Sequence, residues 1–152
     1  MTDELRRVLL VEDSAKDVEL TLEALGEHRF ANEVIVARDG VEGWTYLTRT
    51  GAFASRQPGN PAVVLLDLKL PKMDGLEVLR AMRADPALRS IPVVMLTSSR
   101  EERDVVESYK LGVNAYVVKP VAFTDFIDAV KNLGLFWAVL NQPPPGTVRR
   151  AA

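Results

Sequence analysis

Four short apolar runs, each closing on a polar residue able to do chemistry, constrain this chain more than any other feature. Val8-Leu9-Leu10-Val11 runs into Glu12-Asp13, and Val63-Val64-Leu65-Leu66 into Asp67. Val93-Val94-Met95-Leu96 runs into Thr97, and Ala115-Tyr116-Val117-Val118 into Lys119-Pro120. Runs of this length and branching, set between helical stretches, read as strands buried on both faces of a parallel sheet. The carboxyl ends of such strands share one edge of the sheet, and ligands bind there. Three carboxylates, a hydroxyl and an ammonium would then converge from four distant segments.

The rest of the sequence is compatible with one soluble α/β domain. At 152 residues it can bury a sizeable core without a second domain. With 47% hydrophobic residues, 26% charged residues and a net charge of -2, it offers no electrostatic reason to bind nucleic acid or an anionic membrane. Without cysteine it can form neither a disulfide nor a thiolate metal site. Residues 1–7 lack the apolar stretch of a signal peptide, and no run approaches the roughly 20 residues that span a bilayer. A cytoplasmic protein is the expectation.

Five strand–helix alternations follow along the chain. Ser14 or Asp13 caps a helix from about Ala15 to Glu27, with Val18, Leu22 and Leu25 at helical spacing. Glu33 to Arg38 reads as an edge strand, and Asp39-Gly40 turns into a helix carrying Val41, Trp44 and Leu47. Thr50 to Pro61 reads as a surface loop too irregular for an element. After the strand ending at Asp67, a turn through Leu70-Pro71-Lys72-Met73-Asp74-Gly75 leads to a helix ending near Ala84, broken by Asp85-Pro86. Ser99 with Glu102, or Ser98 with Glu101, fits a capping box for a helix running to Leu111, with Gly112 as its C-cap. The last helix spans roughly Ala122 to Leu140. Residues 1–142 are therefore expected to form the domain and 143–152 a Pro-rich, disordered tail. Short βα links imply right-handed crossovers and a doubly wound, three-layer α/β fold with a five-stranded parallel sheet.

The strand-end residues suit phosphoryl chemistry. A carboxylate can attack phosphorus to give an acyl phosphate, but two anions then approach one another and a cation is needed. Mg²⁺ fits, because it takes oxygen ligands and keeps part of its shell for water and phosphate. Asp13 and Asp67 can each supply an oxygen, Glu12 can hold a coordinated water, and the backbone carbonyl of Lys69 can add another ligand. Lys119 would neutralise phosphoryl oxygens as a point charge, and the Thr97 hydroxyl would donate to one of them. Taken singly, Asp13 reads equally as a helix cap, Thr97 as an ordinary strand residue and Lys119 as a solvated side chain. Asp67 has the least structural excuse. No helix begins directly after it, Asp74 is the better cap, and an uncompensated strand aspartate costs stability.

Taken together, Glu12-Asp13, Asp67, Leu70-Pro71-Lys72-Met73-Asp74-Gly75, Thr97-Ser98 and Tyr116-Val117-Val118-Lys119-Pro120 resemble the receiver domain of two-component response regulators, over about Arg6 to Leu140. The resemblance implies a flavodoxin-like fold with strand order 2-1-3-4-5. It implies phosphoryl transfer from a histidine kinase to Asp67, with Glu12 and Asp13 around Mg²⁺. It further implies that Thr97 and Lys119 contact the phosphoryl group, that the Lys119-Pro120 peptide is cis, and that Tyr116 is an aromatic switch. Such a domain is a signalling switch that assists its own phosphorylation and dephosphorylation rather than an enzyme acting on a separate substrate.

The last helix adds an expectation of its own. Phe123, Phe126, Ile127, Val130 and Leu133 form a stripe fit to cover the sheet, whereas Leu135-Phe136-Trp137-Ala138-Val139-Leu140 is apolar all round. A second copy of the chain covering Phe136, Trp137 and Leu140 is the expected solution, giving a homodimer. With the loop near Ala52 to Asn60, this tail is similar to single-domain regulators that accompany bacterial phytochromes. Rival functions fit less well. A phosphatase of the haloacid dehalogenase type needs an acid where Lys69 stands. A receiver-like module that is never phosphorylated would not need the full acidic, threonine and lysine set. A transcription factor would need a DNA-binding domain beyond the receiver, and no Gly-rich loop supports nucleotide binding.

Overall fold

The computed structural model describes residues 7–26, 33–98, 101–113 and 115–118. Five parallel strands, β1 (Val8–Val11), β2 (Val34–Ala37), β3 (Val63–Leu66), β4 (Val93–Thr97) and β5 (Ala115–Val118), form one sheet in the order β2-β1-β3-β4-β5. The four helices among the described residues are α1 (Ala15–Gly26), α2 (Gly40–Thr48), α3 (Gly75–Ala84) and α4 (Glu102–Lys110). This is the doubly wound arrangement expected from the alternating pattern, in the flavodoxin-like strand order that the resemblance implies. β1 and β3, central in the sheet, are buried at every position, and β2 at the edge is only partly covered.

Alternate strand residues divide the core between the two faces, as the period of 2 in a strand requires. Leu9, Val11, Val64, Leu66, Val93 and Met95 point to one face, where they meet Tyr46 and Leu47 of α2 and Val78, Leu79 and Met82 of α3. Val8, Leu10, Val63, Leu65 and Val94 point to the other, against Val18 of α1. Register carries the strand ends into line. Val11 pairs with Leu66, and the Asp67 N–H continues the ladder by donating to the Val11 carbonyl at 3.1 Å.

Two helix faces differ from the expected stripes. Leu22 of α1 is exposed, and Thr21 is buried beside the core in its place. On α2, Val41 points to solvent, and the buried face consists of Gly40, Gly43, Tyr46 and Leu47. A Cβ at Gly43 would stand 3.0 Å from a Val11 methyl, so the helix lies too close to β1 for a larger side chain. Hydrophobic spacing misses such a face, because glycine carries no hydrophobic signal while setting the approach.

α4 also begins later than expected. Its N-cap is Glu101, which makes no side-chain capping bond, in place of Ser98 or Ser99; Ser99 lies outside the described residues. Starting at Glu102 places Asp104 and Ser108, four residues apart and both buried, on the inward face. The end of α4 is as expected, with Gly112 past the C-cap at φ 77°.

The segment expected as an irregular loop, Thr50 to Pro61, contains a 3-10 turn at Gly51–Phe53 and is tied down by arginine. Arg56 donates from Nε to the Tyr46 carbonyl at 2.7 Å and from Nη1 to the Gln57 and Gly59 carbonyls at 2.7 and 2.9 Å. Its guanidinium lies 4.2 Å from the Tyr46 ring centre, and that ring meets Phe53 edge-on at 5.1 Å. Arg83 joins the two chain crossings beyond α3 and α4 in the same way. It donates to the carbonyls of Leu111, Arg89, Ile91 and Gly112 at 2.8 to 3.0 Å. The rigid, multiply donating fork of arginine suits a cluster of carbonyls left over at helix and loop ends.

Candidate functional site

The carboxyl edge of the sheet gathers the acidic residues. One carboxylate oxygen from each of Glu12, Asp13 and Asp67 lies within 4.8 Å of the other two. Glu12 and Asp67 are buried and Asp13 is exposed, so the cluster has two enclosed walls and one side open to solvent.

Local hydrogen bonds fix each wall. The Glu12 N–H donates to the Ala37 carbonyl at 2.9 Å, extending the β1–β2 ladder by one residue. Glu12 Oε2 accepts from the Ser14 N–H at 3.2 Å. Ser14, rather than Asp13, caps α1: its Oγ accepts from Asp17 N–H at 3.3 Å, and its carbonyl accepts from Val18 N–H at 2.9 Å. Asp13 is thereby released from the capping role that offered its simplest structural explanation. Asp67 Oδ1 accepts from the Leu68 N–H at 2.7 Å, which sets the rotation of the carboxylate.

The loop after Asp67 is clamped from two sides. Asp74 caps α3 in a full capping box with Glu77, as the more suitable cap. The Gly75 N–H donates to the Leu68 carbonyl at 2.8 Å, and a Cβ on Gly75 would collide with the Asp67 carbonyl. Lys72 adopts a left-handed conformation (φ 69°) and lies 3.4 Å from Asp39, the N-cap of α2. The Glu42 N–H, donated to Asp39 Oδ1 at 2.7 Å, holds the Asp39 carboxyl below its ordinary range, and Lys72 adds to the effect. A Cβ on Gly40 would collide with the Met73 carbonyl, so the β2–α2 and β3–α3 loops pack backbone to backbone.

The remaining site residues divide between described and undescribed segments. Leu66 pairs with Met95, which puts Thr97 on β4 one residue beyond the level of Asp67. Tyr116 pairs with Met95 from β5 and is half-buried against the core. The Lys69 side chain reaches α4, where its Nζ lies 3.7 Å from Asp104 Oδ2. Lys119, Pro120, Phe136, Trp137, Leu140 and the 143–152 tail lie outside the described residues. No helix among the described residues is long and apolar enough to cross a membrane.

The donor set itself selects a class of cation. Three carboxylates, with no imidazole or thiolate among the described residues of the cluster, suit a hard divalent ion of the Mg²⁺ or Mn²⁺ type better than zinc. Like charges this close also repel, which a cation would relieve.

Known proteins carry the same architecture. Residues 8–131 match the family model described as the response regulator receiver domain. Response regulator Rcp1 of Synechocystis sp. is 41% identical over 130 residues, covering 86% of this chain and 87% of its own. The crystal structure of its Mn²⁺-bound form superposes with a TM-score of 0.86 at 39% identity, over 91% of this chain and 99% of that one. The phosphorylated cyanobacterial phytochrome response regulator RcpA gives 0.86 at 39% identity, over 92% and 99%. The bacteriophytochrome response regulator RtBRR is 64% identical, with a TM-score of 0.74, over 94% and 86%. A relative with bound Mn²⁺ agrees with the acidic cluster as a divalent-metal site. With the sheet order, the acidic edge and these matches in agreement, the chain belongs to the response regulator receiver domain family, whose members are signalling switches of two-component systems.

Proposed function

We propose that this chain is a single-domain response regulator that accepts a phosphoryl group on Asp67 from a histidine kinase, with Mg²⁺ held by Glu12, Asp13, Asp67 and the Lys69 carbonyl. The observation that carries the reading is the cluster of three carboxylate oxygens within 4.8 Å, built around a buried aspartate that caps no helix. In the transfer, an Asp67 oxygen forms a bond to phosphorus as the bond from phosphorus to the donor's imidazole nitrogen breaks. The bonding electrons leave with that nitrogen, which then takes a proton. A bound divalent ion supplies charge neutralisation for the approaching phosphoryl oxygens. Asp67, fixed by the Leu68 N–H, meets the phosphorus in one orientation; Thr97 donates a hydrogen bond and Lys119 a positive charge to the phosphoryl oxygens.

The output is a population shift. The new group adds about -1.5 to -2 charge, and Thr97, Tyr116 and the Lys119-Pro120 segment respond to it. Reversing a 1:99 equilibrium requires roughly 5.5 kcal/mol of differential binding. The names of the relatives support a bacteriophytochrome as the kinase, and so a cytoplasmic location; nothing in the charge balance favours nucleic acid or a membrane. The domain is assigned to residues 1–142, with 143–152 as a tail.

Labelling by acetyl phosphate tests the reaction without requiring the kinase. Uptake is expected with Mg²⁺ and should fall to background with EDTA; EDTA-insensitive labelling would refute the metal's role. The apolar run around Phe136, Trp137 and Leu140 supports a second copy of this chain as partner. Sedimentation should show a dimer at micromolar concentration, and a monomer with and without phosphorylation would refute it.

A further inference from the structure

A cavity of about 450 Å³ lies between the loop that follows Asp67, the start of α3 and α4. Leu68 and Leu76 line it together with Lys69, Asp74, Arg103 and Asp104. Across it runs the Lys69–Asp104 ion pair. The two ends of this pair are unlike. The Lys69 side chain is 62% exposed, and that of Asp104 only 8%.

Asp104 is held firmly in place. It stands in the first turn of α4, three residues after the N-cap, where the helix dipole favours an anion. Its backbone is fixed at both polar atoms: the N–H donates to the Glu101 carbonyl at 3.0 Å, and its carbonyl accepts from the buried Ser108 hydroxyl at 2.8 Å. Lys69, by contrast, is an exposed cation two residues from Asp67. A lysine stem is flexible, and exposed ion pairs add little stability, so the consequence of this pair is where it holds the charge. Besides Asp74 and Glu107 on the same cavity, the anchors within reach of a lysine stem include the cluster of three carboxylates, whose Asp67 stands two residues back along the chain. An ammonium settled in the cluster would compete with a divalent ion for the same oxygens.

We propose that Asp104 is a positioning residue for the metal site: by drawing the Lys69 ammonium over the α3–α4 cavity, it keeps that cation out of the Glu12, Asp13 and Asp67 cluster. The proposal rests on the reading of the cluster as a divalent-metal site. It also ties α4 to that site, and the coupling is reciprocal, since anything that moves Asp104 changes metal affinity and metal binding biases α4 in return.

Titration of the full chain with Mn²⁺, read as the paramagnetic resonance of the free ion, tests the proposal without any phosphorylation. Asp104→Asn should weaken Mn²⁺ binding by about fivefold, at the lower end of couplings between linked sites. Lys69→Met, which keeps the stem and removes the charge, should bind as the parent does or more tightly. The double variant should return to the parent's affinity, because no ammonium is left to invade the cluster. Circular dichroism of each variant checks that α4 is retained. Unchanged binding in Asp104→Asn, or equal weakening in the double variant, would overturn the positioning role and leave the metal site standing. A parent chain that fails to bind Mn²⁺ would overturn the metal site itself.

Discussion

Asp67→Asn is expected to reduce phosphoryl uptake from acetyl phosphate and Mg²⁺ to background, a loss of about 100-fold or more, because the substitution removes the attacking atom itself. The amide keeps the shape of the carboxylate, and its oxygen can still accept from the Leu68 N–H, which is 2.7 Å from Oδ1 in the parent. Removing one of three crowded anions also relieves repulsion within the cluster. The variant should therefore fold at least as well as the parent and yet fail to react. Labelling measured alongside a thermal melt separates loss of chemistry from loss of fold. Undiminished, hydroxylamine-labile label on a folded variant would move the acceptor to another residue.

The second large effect comes from a residue with no functional group. Gly75 opens α3, and a Cβ there would overlap the Asp67 carbonyl oxygen, with the Leu68 Cα 2.8 Å and the Asp67 carbonyl carbon 3.0 Å away. All three are backbone atoms, so no side chain can swing aside. Gly75→Ala is expected to cost about 3 kcal/mol, at the upper part of the usual range for overpacking. For a chain of this size that lowers the melting temperature by roughly 6–12 °C. The folded fraction should also label more slowly, because relief of the clash displaces Asp67. Helix propensity predicts the opposite sign, since alanine is better than glycine inside a helix by about 1 kcal/mol. A neutral or stabilising Gly75→Ala would show that the close approach of α3 to the Asp67 peptide is not rigid.

These two residues also mark what could be read in the sequence and what could not. Asp67, Glu12 and Asp13 were legible because parallel strands with a common register must end along one edge, and each follows an apolar run at the same place. The register needs only the runs themselves. Gly40, Gly43 and Gly75 were not legible as packing residues, because their role is the absence of a Cβ at a distance fixed by another segment. The same blindness explains the misread helix faces. Leu22 and Val41 have the right spacing for burial, yet α1 buries Thr21 and α2 turns its glycines inward.

Long-range polar links were equally hidden. Arg56 and Arg83 look like ordinary surface arginines, and their carbonyl partners at Gly59, Leu111 and Gly112 exist only once the chain has folded. The start of α4 was misplaced for a related reason. Two local serine–glutamate pairs satisfy the capping pattern, whereas the helix starts at Glu102 and carries Asp104 and Ser108 on its buried face, which no local pattern signals. Asp74, by contrast, was identified correctly because its capping bonds close within three residues of sequence. Local chemistry could be read directly, and contacts between distant segments could be read only where a periodic pattern carried them.

The central claim is that Asp67 becomes an acyl phosphate. Borohydride reduction of the acetyl phosphate-treated protein tests it most directly, because an acyl phosphate is reduced to the alcohol while a free carboxylate is not. Peptide mass mapping should find homoserine at position 67 in the treated chain and aspartate there in the EDTA control. Homoserine at position 13, or at no position despite retained label, would contradict the account.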